Sequence, residues 1–283
     1  MEIQNIPEIF LTKADSLPDL FVYDYRMNAD VVKNKVDLGL NMFSFLQIGQ
    51  KKVHFANAVV AVNEDQSLLI ESGNCLFTEL LNKENTYFCK LFFFSQAKVN
   101  DFLEKHAVNF IIEKNNSPKE TPYFIIENDA YIRLFVTSLA SITVVKKENI
   151  QSFLSLKFEE IMLYLMDKYG MVFTQYAYSL IKTDNQSSFK KIIEANVYSN
   201  LKLEELAFLC NSSLSTFKRN FVRIYATSPG KWLQQKRLQK AKELLQDGKF
   251  KASEIYLDFG YDNLSNFSIA FKNEFGFSPK KTI

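Results

Sequence analysis

Residues 201–225, LKLEELAFLCNSSLSTFKRNFVRIY, and residues 250–275, FKASEIYLDFGYDNLSNFSIAFKNEF, decide the reading of this chain because each replays the other. In the first stretch Leu203, Leu206, Ala207 and Cys210 fall on one face of a short helix. Asn211 follows where the chain must turn, since asparagine tolerates the left-handed conformation better than most residues. Ser213 then offers a side-chain oxygen to cap a new helix. In that helix Leu214, Phe217 and Phe221 recur at i, i+3 and i+7 and are expected to face the first helix, which sends Ser215, Lys218, Arg219 and Val222 outward. In the second stretch Ile255, Tyr256, Phe259 and Gly260 again give helix and turn, and Phe267 and Phe271 repeat the spacing of Phe217 and Phe221 fifty residues on. One amphipathic helix pair says little, but the same pair twice marks a tandem scaffold.

Two helices joined by a tight turn, the second bearing outward donors, form a helix-turn-helix unit whose second helix fits the major groove of DNA. The residues so placed are Ser213, Ser215, Thr216, Lys218, Arg219 and Arg223 in the first unit, and Leu264, Ser265, Ser268 and Lys272 in the second. Arg219 can bond guanine bidentately, and Lys218 can do the same or hold a phosphate. Ser268 and Ile269 stand where the first unit has Lys218 and Arg219. The second unit is therefore expected to offer only apolar contact with thymine methyls from Leu264, Ser265, Ser268 and Ile269, with Lys272 on a phosphate. The expected structural core of the two units is Leu206, Ala207, Phe217, Phe221, Trp232, Ile255, Gly260, Phe267 and Phe271.

Between the units, Ser228-Pro229-Gly230-Lys231-Trp232 opens a helix that runs through Leu233, Leu238, Ala241, Leu244 and Leu245 and closes at Asp247-Gly248. Ser as cap, Pro in the first turn and Gly past the end are its boundary signals. Such a rod can hold two recognition helices in successive major grooves, about 34 Å apart. Its basic residues Lys236, Arg237, Lys240 and Lys242 either lie near phosphates or are simply solvated.

Charge follows the same division. Residues 186–283 carry 16 Lys and Arg against 9 Asp and Glu, while residues 1–185 carry 18 against 23, so a net charge of +2 conceals a basic half behind an acidic one. A polyanion-binding module joined to something else is the implied organisation. The polar run KTDNQSS at residues 182–188 lies where the balance reverses and is read as the linker.

Upstream, residues 41–48, 58–62, 67–71, 75–81 and 87–94 are short apolar runs broken at Gly49, 63–66, Ser72-Gly73-Asn74 and 82–85. This is a strand pattern and favours a compact β-barrel or jelly roll. Phe43, Phe45, Phe77, Phe92 and Phe94 can line an effector pocket, although alternating aromatics on strands more commonly fill a barrel core. After Ser95, a capping residue, Val99, Phe102 and Leu103 begin a helix, and helical spacing resumes through Tyr131, Leu134, Phe135 and Leu139. Residues 149–169 carry a broad apolar band from Ile150 and Phe153 to Met166, closed by Gly170; it either packs on its own domain or forms a dimer interface. The boundaries that follow are 1–181 for an N-terminal domain (strands about 20–126, helices about 127–181), 182–188 for the linker and 189–283 for the helix-turn-helix domain.

The residue inventory argues against catalysis. His54 and His106 stand in no ligand pair, and Cys75, Cys89 and Cys210 are scattered without a CxxC, so neither a metal site, a disulfide framework nor another cofactor is expected. The acidic N-terminus does not read as a secretory signal, and apolar runs such as residues 91–94 are far too short to span a bilayer. The expectation is a cytoplasmic protein that is not an enzyme and has no membrane partner.

The pieces Leu203-Glu204-Glu205-Leu206-Ala207, Ser213 with Phe217 and Phe221, Arg237, Ala241, Leu244 and Leu245, Gly260-Tyr261, Phe267, Phe271-Lys272, Gly276 and Ser278-Pro279 occur in one order over about ninety residues. On them, residues 188–283 resemble the DNA-binding region of the AraC/XylS family of bacterial transcription regulators. The resemblance implies an α+β chain, with an N-terminal cupin-like β-barrel or jelly roll with helices, followed by an all-α domain of two helix-turn-helix units on a linker helix. It implies an activator that binds double-stranded promoter DNA, contacts RNA polymerase and carries an effector and dimerisation domain. The expected control is a small-molecule effector at residues 1–181, or alternatively a regulatory protein, and the helix at 149–169 is the expected homodimer contact. Three residues depart from the family pattern: Tyr256 replaces a small Ala, Asn266 an aromatic and Ile269 a common Arg.

Overall fold

The computed structural model describes residues 3–11, 17–106, 121–181, 189–199, 201–248 and 250–281. They fall into two compact units, Met1–Gln186 and Ser187–Ile283. The stretch read as a linker, residues 182–188, lies outside the described residues.

The strands of the N-terminal unit are β1 (Gln4–Ile6), β2 (Leu20–Met27), β3 (Val31–Leu38), β4 (Asn41–Ile48) and β5 (Gln50–His54), then β6 (Val59–Val62), β7 (Gln66–Ile70), β8 (Gly73–Leu80), β9 (Tyr87–Phe94) and β10 (Tyr123–Glu127). They form two five-stranded sheets, ordered β1-β3-β8-β5-β6 and β10-β7-β4-β9-β2. The expected barrel or jelly roll is thus realised in its open form. Val36 and Val53 of one sheet meet Met42, Ile70 and Phe93 of the other in a shared core, yet each sheet keeps its own hydrogen bonds. Gly49 carries the chain from β4 into β5 of the opposite sheet at φ +101°, where a Cβ would stand 2.6 Å from the Leu80 carbonyl and 2.7 Å from the Tyr87 ring. Only glycine fits that corner.

The helices α1 (Gln96–His106), α2 (Ala130–Leu139), α3 (Ile150–Tyr169) and α4 (Met171–Ser179) supply a second core, on the outer face of the β4 sheet. Here the expectation for the aromatics needs correction. Phe43, Phe45, Phe92 and Phe94 do not fill the space between the sheets; they face the helices, and of the five only Phe77 belongs to the inter-sheet core. Side chains alternate along a strand, so these four share one face while Met42 and Phe93 take the other. Phe43 stacks on Phe45 at 5.5 Å, Phe45 lies 5.7 Å from Phe135 of α2, and Phe94 lies 5.0 Å from Phe158 of α3. Being covered on both faces explains why β4 and β9 read as almost unbroken apolar runs.

The apolar band of α3 is buried on one side only. Leu154, Phe158, Ile161, Met162, Leu165 and Met166 are buried, whereas Phe153 (46% exposed), Leu156 (64%) and Leu163 (41%) face away. Gly170 ends the helix with a left-handed φ of 57° and donates its N–H to the Met166 carbonyl. No helix among the described residues is long and apolar enough to cross a membrane.

The C-terminal unit consists of α5 (Phe189–Ala195), α6 (Leu203–Leu209), α7 (Leu214–Tyr225), α8 (Pro229–Gln246), α9 (Ala252–Ile255) and α10 (Leu264–Phe275). Helices α6 and α7 make the first helix-turn-helix unit, α9 and α10 the second, and α8 packs against both α7 and α10. Pro229 stands in the first turn of α8 and Gly248 follows its end at φ 66°. Ser228 holds the cap position with an extended backbone, but its side chain accepts no helix N–H, unlike the expectation.

Candidate nucleic-acid interface

Each turn between paired helices is built from the same two hydrogen bonds. In the first unit Asn211 donates its N–H to Phe208 (2.8 Å) and Ser212 to Ala207 (3.0 Å); in the second Gly260 donates to Leu257 (3.0 Å) and Tyr261 to Tyr256 (3.2 Å). Both hinge residues are left-handed, Asn211 at φ 50° and Gly260 at φ 80°. The expected helix cap is present, with the Ser213 hydroxyl accepting the Thr216 N–H at 3.3 Å. Its counterpart Asn263, which the sequence reading missed, accepts the Asn266 N–H at 2.8 Å.

A further matched pair was also missed. Glu205 accepts the Lys202 N–H at 2.7 Å, and Glu254 accepts the Lys251 N–H at 2.7 Å, so both first helices begin with the same reach-back by a carboxylate. The signal was half present: Glu occupies the third helical position as in a capping box, but Lys stands where Ser or Thr is looked for.

These turns seat the four phenylalanines. Phe217, Phe221, Phe267 and Phe271 are all fully buried, beside Leu206, Ala207 and Ile255. Trp232, half-buried on α8, meets Phe221 edge-on at 5.7 Å and Tyr225 at 4.6 Å. Gly260 is exposed, so it belongs to the scaffold through its backbone and not through burial.

With those rings inward, the candidate contact residues face out. Ser213, Ser215, Lys218, Arg219, Val222 and Arg223 are exposed on the first unit; Thr216 is half-buried, and its hydroxyl accepts from Ser213 at 3.0 Å. Lys218, Arg219 and Arg223 enter no ion pair among the described residues, which leaves three free donors on one helix. On the second unit Ser265 and Lys272 are exposed, Ser268 is half-buried, and Leu264 (37% exposed) and Ile269 (60%) offer apolar surface. The outer face of α7 thus carries Lys218, Arg219 and Arg223, where that of α10 carries Leu264 and Ile269 beside Ser265 and Lys272.

On the basic side of α8, Lys236 and Lys240 are exposed, as a solvated face requires, but Arg237 departs from the expectation. Arg237 is half-buried and turned inward, donating from Nε to the Val197 carbonyl at 2.9 Å and from Nη2 to the Ser199 carbonyl at 2.5 Å. Burial pulls its pKa down from the usual arginine range. Lys240 pairs with Glu243, Lys242 lies 4.7 Å from the Phe275 ring, and Lys236 lies 5.5 Å from that of Trp232. Cys210, at the end of α6, has its thiol pushed up to about 12 by burial and is no nucleophile at neutral pH. Among the described residues no group of His, Cys, Asp and Glu is placed to hold a metal ion.

Comparison with known proteins matches this organisation. Residues 206–283 match a family described as a helix-turn-helix domain, and residues 41–176 match the ExsA N-terminal regulatory domain. The chain is 27% identical over 169 residues to the thermoregulatory protein LcrF of Yersinia pestis, covering 59% of this chain and 60% of LcrF. It is 29% identical over 96 residues to the virulence regulon transcriptional activator VirF of Yersinia enterocolitica, covering 34% of this chain and 35% of VirF. It is 26% identical over 90 residues to the regulator ExsA of Pseudomonas aeruginosa, covering 32% of each chain. A duplicated helix-turn-helix on one connecting helix, with this match, defines an AraC-type DNA-binding domain. The C-terminal unit thus carries an AraC-type helix-turn-helix domain and the N-terminal unit an ExsA-type regulatory domain, and the chain spans 60% of the length of LcrF.

Proposed function

We propose that the chain is a sequence-specific transcription regulator in which residues 189–283 read double-stranded promoter DNA and residues 1–181 govern that reading. The duplication carries this conclusion: two scaffolds with the same turn bonds and the same buried phenylalanine pair present two recognition helices from one rod. In the first unit Arg219 and Lys218 read guanine edges, with Ser213, Ser215, Thr216 and Arg223 on neighbouring bases and phosphates. In the second, Leu264, Ser265, Ser268 and Ile269 meet thymine methyls and Lys272 holds a phosphate.

The name of VirF, an activator of a virulence regulon, supports activation here, with RNA polymerase as the partner at the promoter. The outward Phe153, Leu156 and Leu163 of α3 support a homodimer through that helix. For control of the N-terminal domain, the packing favours the regulatory protein over the small-molecule effector. Phe43, Phe45, Phe92 and Phe94, four of the five aromatics that can line a pocket, are fully buried in one core with Phe135 and Phe158, so a ligand there has to displace them. A stoichiometric protein that copurifies with the chain is the expected finding, and a small molecule extracted from the purified chain would reverse that part of the reading.

Selection of binding sites from random DNA with the full chain tests the whole. A defined two-part motif is expected; binding that is uniform across sequences and merely salt-sensitive would reduce the protein to a nonspecific polyanion binder.

A further inference from the structure

We propose that Arg237 is the positioning residue that fixes the spacing between the two recognition helices, and so the separation of the two base-pair groups that the domain can read together. The proposal rests on the DNA-binding reading and adds to it a named device for half-site spacing.

Arg237 lies midway along α8, the helix that packs against both α7 and α10. Its guanidinium does not point to solvent. It forks onto two carbonyls, those of Val197 and Ser199 at 2.9 and 2.5 Å, in the segment that joins α5 to the first helix-turn-helix unit. Three residues earlier on the same face of α8, Gln234 donates from Nε2 to the Tyr261 hydroxyl at 3.3 Å, and Tyr261 packs edge-on against Phe267 at 5.4 Å. Adjacent positions on one helix thus hold the first unit on one side and the second on the other.

Apart from Lys242 over the Phe275 ring, the other contacts of α8 with the two units among the described residues are mainly apolar: Trp232 on Phe221 and Tyr225 for the first, and Leu238, Ala241 and Leu245 among Ile255, Phe267 and Phe271 for the second. Apolar burial holds the units to the rod but is non-directional and tolerates rolling. A planar fork on two backbone carbonyls has a fixed geometry, and lysine cannot reproduce it. Small rolls at α8 matter because one base pair of displacement turns a half-site by roughly 35° about the DNA axis.

The test uses the full chain on its selected site and on the same site with one base pair inserted or removed between the two halves. Wild-type protein is expected to lose affinity on the shifted sites by about 30-fold, in the range of a disrupted specific contact. Arg237→Met, which keeps the stem and loses the fork, is expected to bring that ratio to within about 3-fold, and Arg237→Lys to an intermediate value. Tyr261→Phe, a milder change that removes only the hydroxyl, is expected to lower the ratio as well. If Arg237→Met and Arg237→Lys weaken binding to all sites by one common factor and keep the wild-type ratio, Arg237 serves folding alone and the proposal falls. If Arg237→Met does not fold, the lysine and Tyr261→Phe proteins decide by the same ratio. A wild-type protein that selects no two-part site would instead overturn the DNA-binding reading beneath it.

Discussion

The rings of Phe217 and Phe221 lie 5.9 Å apart with interplanar angle 47°, and those of Phe267 and Phe271 lie 5.8 Å apart at 48°. Two helices with such different outer faces share one inner geometry. The scaffold is therefore shared by the two copies within this chain, while the outer face is not.

That asymmetry predicts how the two units divide base recognition. Arg219→Ala should cost about 1–3 kcal/mol of discrimination at a guanine in one half of the site, while Ser268→Ala should cost little. Replacing thymine with deoxyuridine in the other half removes only methyl groups and should weaken binding there. Titrations with site variants check both; a Ser268→Ala loss larger than that of Arg219→Ala would contradict the division.

Ala226 ends α7 in the left-handed region at φ 54°, where its counterpart Gly276 ends α10 at φ 80°. A Cβ in that conformation costs roughly 1–2 kcal/mol, offset in part by the chain entropy that glycine loses on folding. Ala226→Gly should raise stability by about 0.5–1 kcal/mol in denaturant titrations.

How far the sequence revealed this molecule depends on how each signal is encoded. Asn211, Ser213 and Gly260 are legible because turn and cap chemistry is local, and Phe217 with Phe221 because helical period repeats it. Residues 41–48 and 87–94 are legible as strands with the right ends, but burial on both faces erases the alternation that tells which face meets what; hence the misplacement of Phe43, Phe45, Phe92 and Phe94. Arg237 is expected near phosphates or in solvent, and neither holds, because an arginine on a helix says nothing of carbonyls forty residues upstream. The partnership of Lys51 and Glu79 is likewise invisible, since Lys51 stands in the polar run QKKVH and Glu79 near the end of GNCLFTEL, and nothing local pairs the two.

Lys51 and Glu79 form a fully buried ion pair at 3.0 Å inside the sandwich, with the Tyr87 hydroxyl donating to the same carboxylate at 2.9 Å. Burial, the largest single influence, disfavours the ammonium, but the charge and hydrogen bond of Glu79 together with the neighbouring Cys89 and Cys75 outweigh it and hold Lys51 above the usual lysine range. Removing one partner strands the other in an apolar core. Lys51→Met alone should destabilise the domain by about 3–5 kcal/mol, whereas Lys51→Met with Glu79→Leu should recover most of that loss. Thermal and chemical unfolding of the three proteins measure the difference, and a single variant no worse than the double would refute it.

Asp129 caps α2 by accepting the Ile132 N–H at 3.0 Å and is held by Lys168 at 2.6 Å and by the Tyr164 hydroxyl. Burial alone raises its pKa, yet the bonds to Lys168, Tyr164 and Ile132 win and lower it from 3.8 to about 2. The folded value lies below the unfolded one, so its contribution is complete above about pH 4 and is lost as pH falls through about 2. Because the side chain is about a third exposed, the contribution is about 1 kcal/mol. Asp129→Asn should lose that amount at neutral pH and show a flatter acid limb in stability against pH.

In the proposed complex both units engage one duplex at once, held by α8 so that their second helices enter successive grooves. Hydroxyl-radical footprinting of the full chain on its selected site measures this directly. Two protected windows on one face of the DNA, about one helical turn apart, are predicted. A single window, left unchanged when the half facing the second unit is scrambled, would contradict it.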